Sequence, residues 1–229
     1  VIVVSNVTMK YPNGRGIFDV DFTVKSGEVV GFLGPNGAGK TTTIRCLLGF
    51  MKPQSGKCTI NDRDCFDFSN ENCRDLGFIA GEPAFPDGSN GLEYLNFLCE
   101  VRGIKDKTKM EELIKYFNLE PKGRIKRMSK GMKQKIAIVA AFMHDPSVYI
   151  LDEPTSGLDP IMQIKFIDLI KKEKARGKTI LMSTHNLGEI KNTCDSMLII
   201  RDGKIVKTMS GKELQKADLE GIVHEFYSI

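Results

Sequence analysis

Gly34-Pro35-Asn36-Gly37-Ala38-Gly39-Lys40-Thr41 places three glycines ahead of a Lys-Thr pair. It fits G-x-x-x-x-G-K-[ST], the phosphate-binding loop. The apolar run Val29-Val30-Gly31-Phe32-Leu33 ahead of it reads as a buried strand, and Thr42 to Gly49 behind it reads as a helix start. In that setting Gly34, Gly37 and Gly39 let the backbone curl round an anion, with Asn36 and Thr42 in the same cradle. Successive N–H groups then point inward, and the helix N-terminus adds a favourable dipole. Lys40 is placed to reach the β- and γ-phosphates, and the Thr41 hydroxyl to hold Mg²⁺. A glycine-rich turn without a ligand does not account for Lys-Thr at this offset. The loop implies a nucleoside triphosphate and leaves open which machine uses it.

Outward from the loop, composition sets bounds. The chain has 229 residues, enough for one large or two small domains. A net charge of +4 is too small to argue for nucleic acid by itself. The longest uninterrupted apolar run, Ile136 to Met143, is far short of the ~20 residues a membrane helix needs. The opening Val1-Ile2-Val3-Val4-Ser5 carries no basic leader, and the missing initiator Met suggests a trimmed start. A membrane role is therefore expected to work through a partner. Cys46, Cys58, Cys65, Cys73, Cys99 and Cys194 form no C-x-x-C pair and read as reduced, largely buried thiols of a reducing cytoplasm. His144, His185 and His224 show no metal-ligand spacing.

Alternating apolar and polar residues up to about 27, broken by Pro12-Asn13-Gly14, predict an antiparallel hairpin. Cys58-Thr59-Ile60 and Leu76-Gly77-Phe78-Ile79-Ala80 read as further short strands. From Gly91 to about His144 the pattern turns helical. Leu92, Leu95 and Leu98 with Phe97 make one stripe; Met110, Leu113, Ile114 and Phe117 make another; a third helix runs from about Lys130 to Met143. Strands return at Val148–Leu151, Thr179–Met182 and Met197–Ile200, separated by helices at about 161–175 and 186–193. Asp202-Gly203 closes a hairpin into Lys204–Thr208. Such alternation implies a mostly parallel sheet with both faces covered. The fold class is α/β: a P-loop NTPase core, an N-terminal antiparallel β subdomain and an inserted helical subdomain. The core spans 1–83 and 146–229 and the helical part about 84–145.

Val148-Tyr149-Ile150-Leu151 ends in Asp152-Glu153. Ligands of open α/β sheets sit at the carboxyl ends of strands, which places Asp152 at Mg²⁺ and Glu153 at the attacking water. An acidic turn capping a strand is the bland alternative, and the phosphate loop upstream weighs against it.

With these pieces in order the chain resembles the nucleotide-binding subunit of ABC transporters over nearly its whole length. Met128-Ser129-Lys130-Gly131-Met132 stands in the place of the signature motif and Leu151-Asp152-Glu153-Pro154 in that of the second nucleotide motif. Ser156-Gly157-Leu158-Asp159 looks like the D-loop, His185 like the switch histidine, and Tyr11 like the aromatic that stacks on adenine. The resemblance implies that Ser129 and Gly131 meet the γ-phosphate held by a second subunit, that His185 donates toward it, and that Asp159 touches across a dimer. Blander roles stay open beside these: Ser129 as N-cap, Asp159 as N-cap ahead of Pro160, His185 as a core histidine, Tyr11 as a surface aromatic.

Two departures from the family pattern stand out. The usual metal-reaching Gln aligns with Gly81, followed by Glu82, and the signature carries Lys130 and Met132 where Gly and Gln are usual. The Ser-Lys-Gly-Met variant resembles the exporter branch that handles drugs, antibiotics and antimicrobial peptides. Lys122, Arg124, Lys126, Arg127, Lys130, Lys133 and Lys135 read as a solvated face, with a partner's nucleotide or anionic lipid as the alternative; nucleic acid is not expected. The resemblance implies a Mg-dependent ATPase that binds ATP and Mg²⁺. It would act as a homodimer on a membrane-spanning permease, at the cytoplasmic face of the cell membrane, in an exporter. The rival is a soluble ABC ATPase acting on ribosomes or DNA, which usually carries two cassettes or a long coiled coil.

Overall fold

The computed structural model describes residues 1–219, 221 and 222; His224 lies outside them. Along the chain run β1 (Ile2–Lys10), β2 (Gly16–Val24), β3 (Val29–Leu33), α1 (Lys40–Leu47), β4 (Ser55–Ile60), β5 (Arg63–Asp64), α2 (Ser69–Asp75) and β6 (Leu76–Ile79). A helical stretch follows: α3 (Gly91–Val101), α4 (Thr108–Tyr116), a 3-10 turn at Ile125–Arg127 and α5 (Lys130–Phe142). Then come β7 (Val148–Asp152), α6 (Pro160–Ala175), β8 (Thr179–Ser183), α7 (Leu187–Thr193), β9 (Ser196–Arg201), β10 (Lys204–Ser210) and α8 (Gly211–Lys216).

Two sheets result. The first is antiparallel in the order β2-β1-β4-β5, and the second has the order β10-β9-β3-β8-β7-β6, parallel except for β10. The expected hairpin is present, with Ile2 opposite Val24, and β4 joins its free edge, Ile2 opposite Ile60. β3, β7 and β8 are buried along their whole length, which explains why they read as unbroken apolar runs. On one face of this sheet Phe142 of α5 stacks on Tyr149 of β7, centroids 4.4 Å apart.

Some boundaries and one face differ from the sequence reading. α1 starts at Lys40, inside the loop motif, because the last loop residue turns straight into the helix. Short α2, β5 and α8 carry no strong periodicity and were not expected from the pattern. Phe97 leaves the stripe of α3: it is 55% exposed, while Leu95 and Cys99 supply the buried face. At helical spacing 95 and 99 share a face that 97 cannot join.

His144, after α5, sits against β6 with Nε2 3.0 Å from the Leu76 carbonyl. Burial pushes its imidazole down to about 4, and the Arg102 and Lys109 cations act in the same direction. The folded-state value thus lies below the ordinary value near 6.5. Stability is full above about pH 6.5 and falls toward pH 4, because the unfolded chain takes up a proton that the folded chain refuses. Wild type is expected to lose about 1–2 kcal/mol more than His144→Gln between about pH 7 and pH 5. Urea denaturation of both proteins at the two pH values measures it, and parallel profiles would count against this assignment.

Candidate functional site

The phosphate loop leaves β3 and enters α1 as its spacing demands. Gly37 and Gly39 have φ of +81° and +116°, which side chains with a Cβ adopt only under strain. At Gly34 the constraint is space: a Cβ there would stand 2.5 Å from the Ile200 carbonyl oxygen of β9. Lys40 is buried, and its Nζ donates to the Gly34 and Pro35 carbonyls at 2.5 and 3.2 Å. Burial lowers its pKa, and the nearby Glu153 and Asp152 carboxylates oppose that shift. The ammonium group therefore rests on its own loop, with two carboxylates close by.

Beside it, β7 delivers Asp152. Its Oδ2 accepts the Thr41 hydroxyl at 3.1 Å and its Oδ1 accepts the Ser183 hydroxyl at 2.5 Å. Glu153 follows at φ +46°, a left-handed conformation that costs a non-glycine residue ~1–2 kcal/mol. Its N–H is held by the Ser183 carbonyl and hydroxyl, both at 3.1 Å. The turned backbone sends its carboxylate to His185, Oε2 to Nδ1 3.2 Å, while the His185 side chain stays 70% exposed. Ser183 was not singled out from sequence; its signal is a hydroxyl at the end of the strand next to β7.

A cavity of about 800 Å³ opens over these groups, within the ~300–1,000 Å³ range of ligand pockets. Asn36, Gly37, Gly39, Lys40, Thr41, Thr42, Asp152 and Glu153 line it. Gly81 and Glu82 line it as well, and a Cβ on Gly81 would stand 3.5 Å from Asp152 Oδ2. Gly81, expected to stand in the place of the family's Gln, thus lies beside the carboxylate, and Glu82 faces the same cavity. Among the described residues Tyr11, Gly34, Ser129, Gly131, Asp159 and His185 do not line this cavity. Tyr11 stands at its rim, its hydroxyl 3.4 Å from Thr42 Oγ1. Ser129 and Asp159 cap α5 and α6, accepting from Met132 and Met162 N–H at 3.2 and 3.0 Å. Gly131 packs on the D-loop-like segment, where a Cβ would stand 2.6 Å from the Gly157 carbonyl oxygen.

A phosphate loop between a buried parallel strand and a helix, facing a carboxylate at the end of a second strand, defines a P-loop nucleoside triphosphatase fold. A family model for ABC transporters matches residues 17–156. The bacitracin transport ATP-binding protein of Bacillus licheniformis is 37% identical over 219 residues, 94% of this chain and 72% of that protein. The SkfA peptide export ATP-binding protein SkfE of Bacillus subtilis is 34% identical over 90% of this chain and 87% of its own length. Among solved structures, an ATP-binding subunit of an ABC transporter superposes with a TM-score of 0.90 at 31% identity, covering 100% of both chains. The chain belongs to the ABC transporter family, as an ATP-binding ATPase subunit.

Proposed function

We propose that this subunit powers export through a separate membrane-spanning chain, working as one of two ATPase copies at the cytoplasmic face of the cell membrane. The observation that carries the ATPase part is the convergence of Lys40, Thr41, Asp152 and Glu153 on one cavity. Relatives concerned with bacitracin transport and peptide export favour the antibiotic or peptide class. Among the described residues no helix is long and apolar enough to cross a membrane, so a partner chain fits.

Thr41 Oγ1 and Asp152 Oδ2, 3.1 Å apart, are the hard oxygen donors that suit Mg²⁺. Bound there, Mg²⁺ would neutralise charge on the β- and γ-phosphate oxygens. Lys40 would leave the Gly34 and Pro35 carbonyls for those phosphates. Glu153 would take a proton from the water that attacks the γ-phosphorus as the bond to the ADP oxygen breaks. His185 would donate to the γ-phosphate, and Tyr11 would stack on adenine. Ser129 and Gly131 of the second copy, at the N-terminus of its α5, would face the same phosphate, with Asp159 across the dimer. ATP would close the dimer through its greater affinity for the closed state.

In this reading residues 84–145 form the inserted helical subdomain on a core of 1–83 and 146–229. A 200 Å³ apolar hollow lined by Phe50, Phe78, Tyr94 and Leu98, with Phe85 edge-on to Tyr94, would receive the membrane subunit. Glu82 would join the metal site to this hollow. Reconstitution with a membrane-spanning permease chain is expected to raise ATPase activity and drive ATP-dependent export. Glu82→Ala is expected to cut the stimulated rate more than the basal rate. Equal rates for variant and wild type sink the role of Glu82, and a subunit that hydrolyses ATP yet binds no membrane chain sinks the exporter reading.

A further inference from the structure

Glu189 is a carboxylate shut away from solvent on α7, 1% exposed, and the reaction described above does not use it. Its two oxygens have different partners. Oε1 accepts the Thr155 hydroxyl at 2.6 Å, and Oε2 accepts the Thr184 hydroxyl at 2.6 Å. Thr155 lies just after Glu153 and Pro154, and Thr184 comes immediately before His185. Both threonines are buried, so water is poorly placed to replace either contact. The β7–β8 ladder ends at the pair Asp152 and Ser183. Beyond that pair the two chains leave the sheet, and Glu189 ties them together where the ladder stops.

The tie has something to hold. Glu153 sits at φ +46°, and such a conformation persists only where its surroundings over-determine it. Three successive residues are pinned. Ser183 holds the Glu153 N–H, Gln134 Nε2 of α5 donates to the Pro154 carbonyl at 2.7 Å, and Glu189 holds Thr155. Of these anchors only Glu189 also grips the residue next to His185 by its side chain. Glu189 is itself fixed from behind, because its carbonyl accepts the Thr193 hydroxyl at 2.6 Å and α7 packs on α6.

We propose that Glu189 is a positioning residue that sets the separation of Glu153 and His185. This rests on the reading of Glu153 as the base and His185 as its neighbour at the γ-phosphate. Loosening the bridge lets the carboxylate drift from the attacking water, and a displacement of about 1 Å costs on the order of 10²-fold in rate. It does not touch the phosphate loop, so ATP binding is spared.

The test is steady-state ATPase of the chain with Mg-ATP, with kcat referred to the concentration of nucleotide-binding sites. Glu189→Ala is expected to lower kcat per site ~10–100-fold while KM stays within about threefold. Glu189→Gln keeps the shape and can still bond both hydroxyls, one as acceptor and one as donor, and is expected to recover most of kcat. Thr155→Val, which removes one arm only, is expected to fall between the two and covers the case in which Glu189→Ala fails to fold. Glu153→Gln is measured alongside. If Glu153→Gln turns over at the wild-type rate, the base assignment falls and this inference with it. If Glu153→Gln is slow but Glu189→Ala and Thr155→Val keep wild-type kcat per site, with only a lowered melting temperature, the bridge is merely structural and the proposal alone is overturned.

Discussion

Glu153→Gln is expected to bind ATP as wild type does and to hydrolyse it ~10²–10⁴-fold more slowly, a loss of roughly 3–5 kcal/mol of transition-state stabilisation. The substitution keeps the size and the left-handed backbone at φ +46°, with the N–H still held by Ser183. What disappears is the proton acceptor that faces His185 at 3.2 Å. ATP that is bound but not cleaved is then expected to accumulate in the closed state and favour a dimer. Size-exclusion chromatography with Mg-ATP, run beside single-turnover hydrolysis, reads both effects. A variant that stays monomeric at saturating ATP and turns over at the wild-type rate would remove the two-copy mechanism together with the base.

Lys40→Ala is expected to abolish ATP binding at concentrations that saturate wild type. Charge-assisted hydrogen bonds are worth ~1.5–3 kcal/mol each, and Lys40 is placed to make contacts to two phosphates, so a loss of at least ~10²-fold in affinity follows. The Nζ already sits in the loop, held by the Gly34 and Pro35 carbonyls, so no large rearrangement is needed for it to engage the ligand. Removing it also takes away the ammonium group that the Asp152 and Glu153 carboxylates face across the cavity. Equilibrium binding of a fluorescent ATP analogue checks this, with circular dichroism to confirm folding. Unchanged affinity in a folded variant would count against the phosphate-loop assignment.

Much of the site could be read from sequence because its chemistry is written in short local spacing. The loop from Gly34 to Thr41 depends on glycines at fixed offsets, and those offsets alone dictate a backbone that cups an anion. Asp152 and Glu153 announce themselves as carboxylates at the end of an apolar run, since a strand buried on both faces ends where polar residues begin. The caps on α5 and α6 were equally local: Ser129 and Asp159 each bond an N–H within their own first turn.

Other features depended on distance in space between residues far apart in sequence. Nothing in the periodicity says that β3 lies between β8 and β9, or that β4 leaves the core to pair with β1. Phe97 shows the limit in a single helix, where apolar character suggested the core and the turn of the helix put it outside. Ser183, Gln134 and Glu189 carry no motif that marks them, because each acts through a contact made only after β7, β8, α5 and α7 are packed. Legible in the chain alone were the phosphate-loop motif, the strand that feeds it and the alternation of strands and helices, all of which follow from local geometry and hydrophobic period. Tertiary structure alone decided the strand order, the meeting of Thr41 with Asp152 and of Glu153 with His185, and the buried Glu189 bridge behind them. The contacts of Thr41 with Asp152, Glu153 with His185 and Thr155 with Glu189 join residues that the chain separates widely, and only the packed sheet brings them within hydrogen-bond reach.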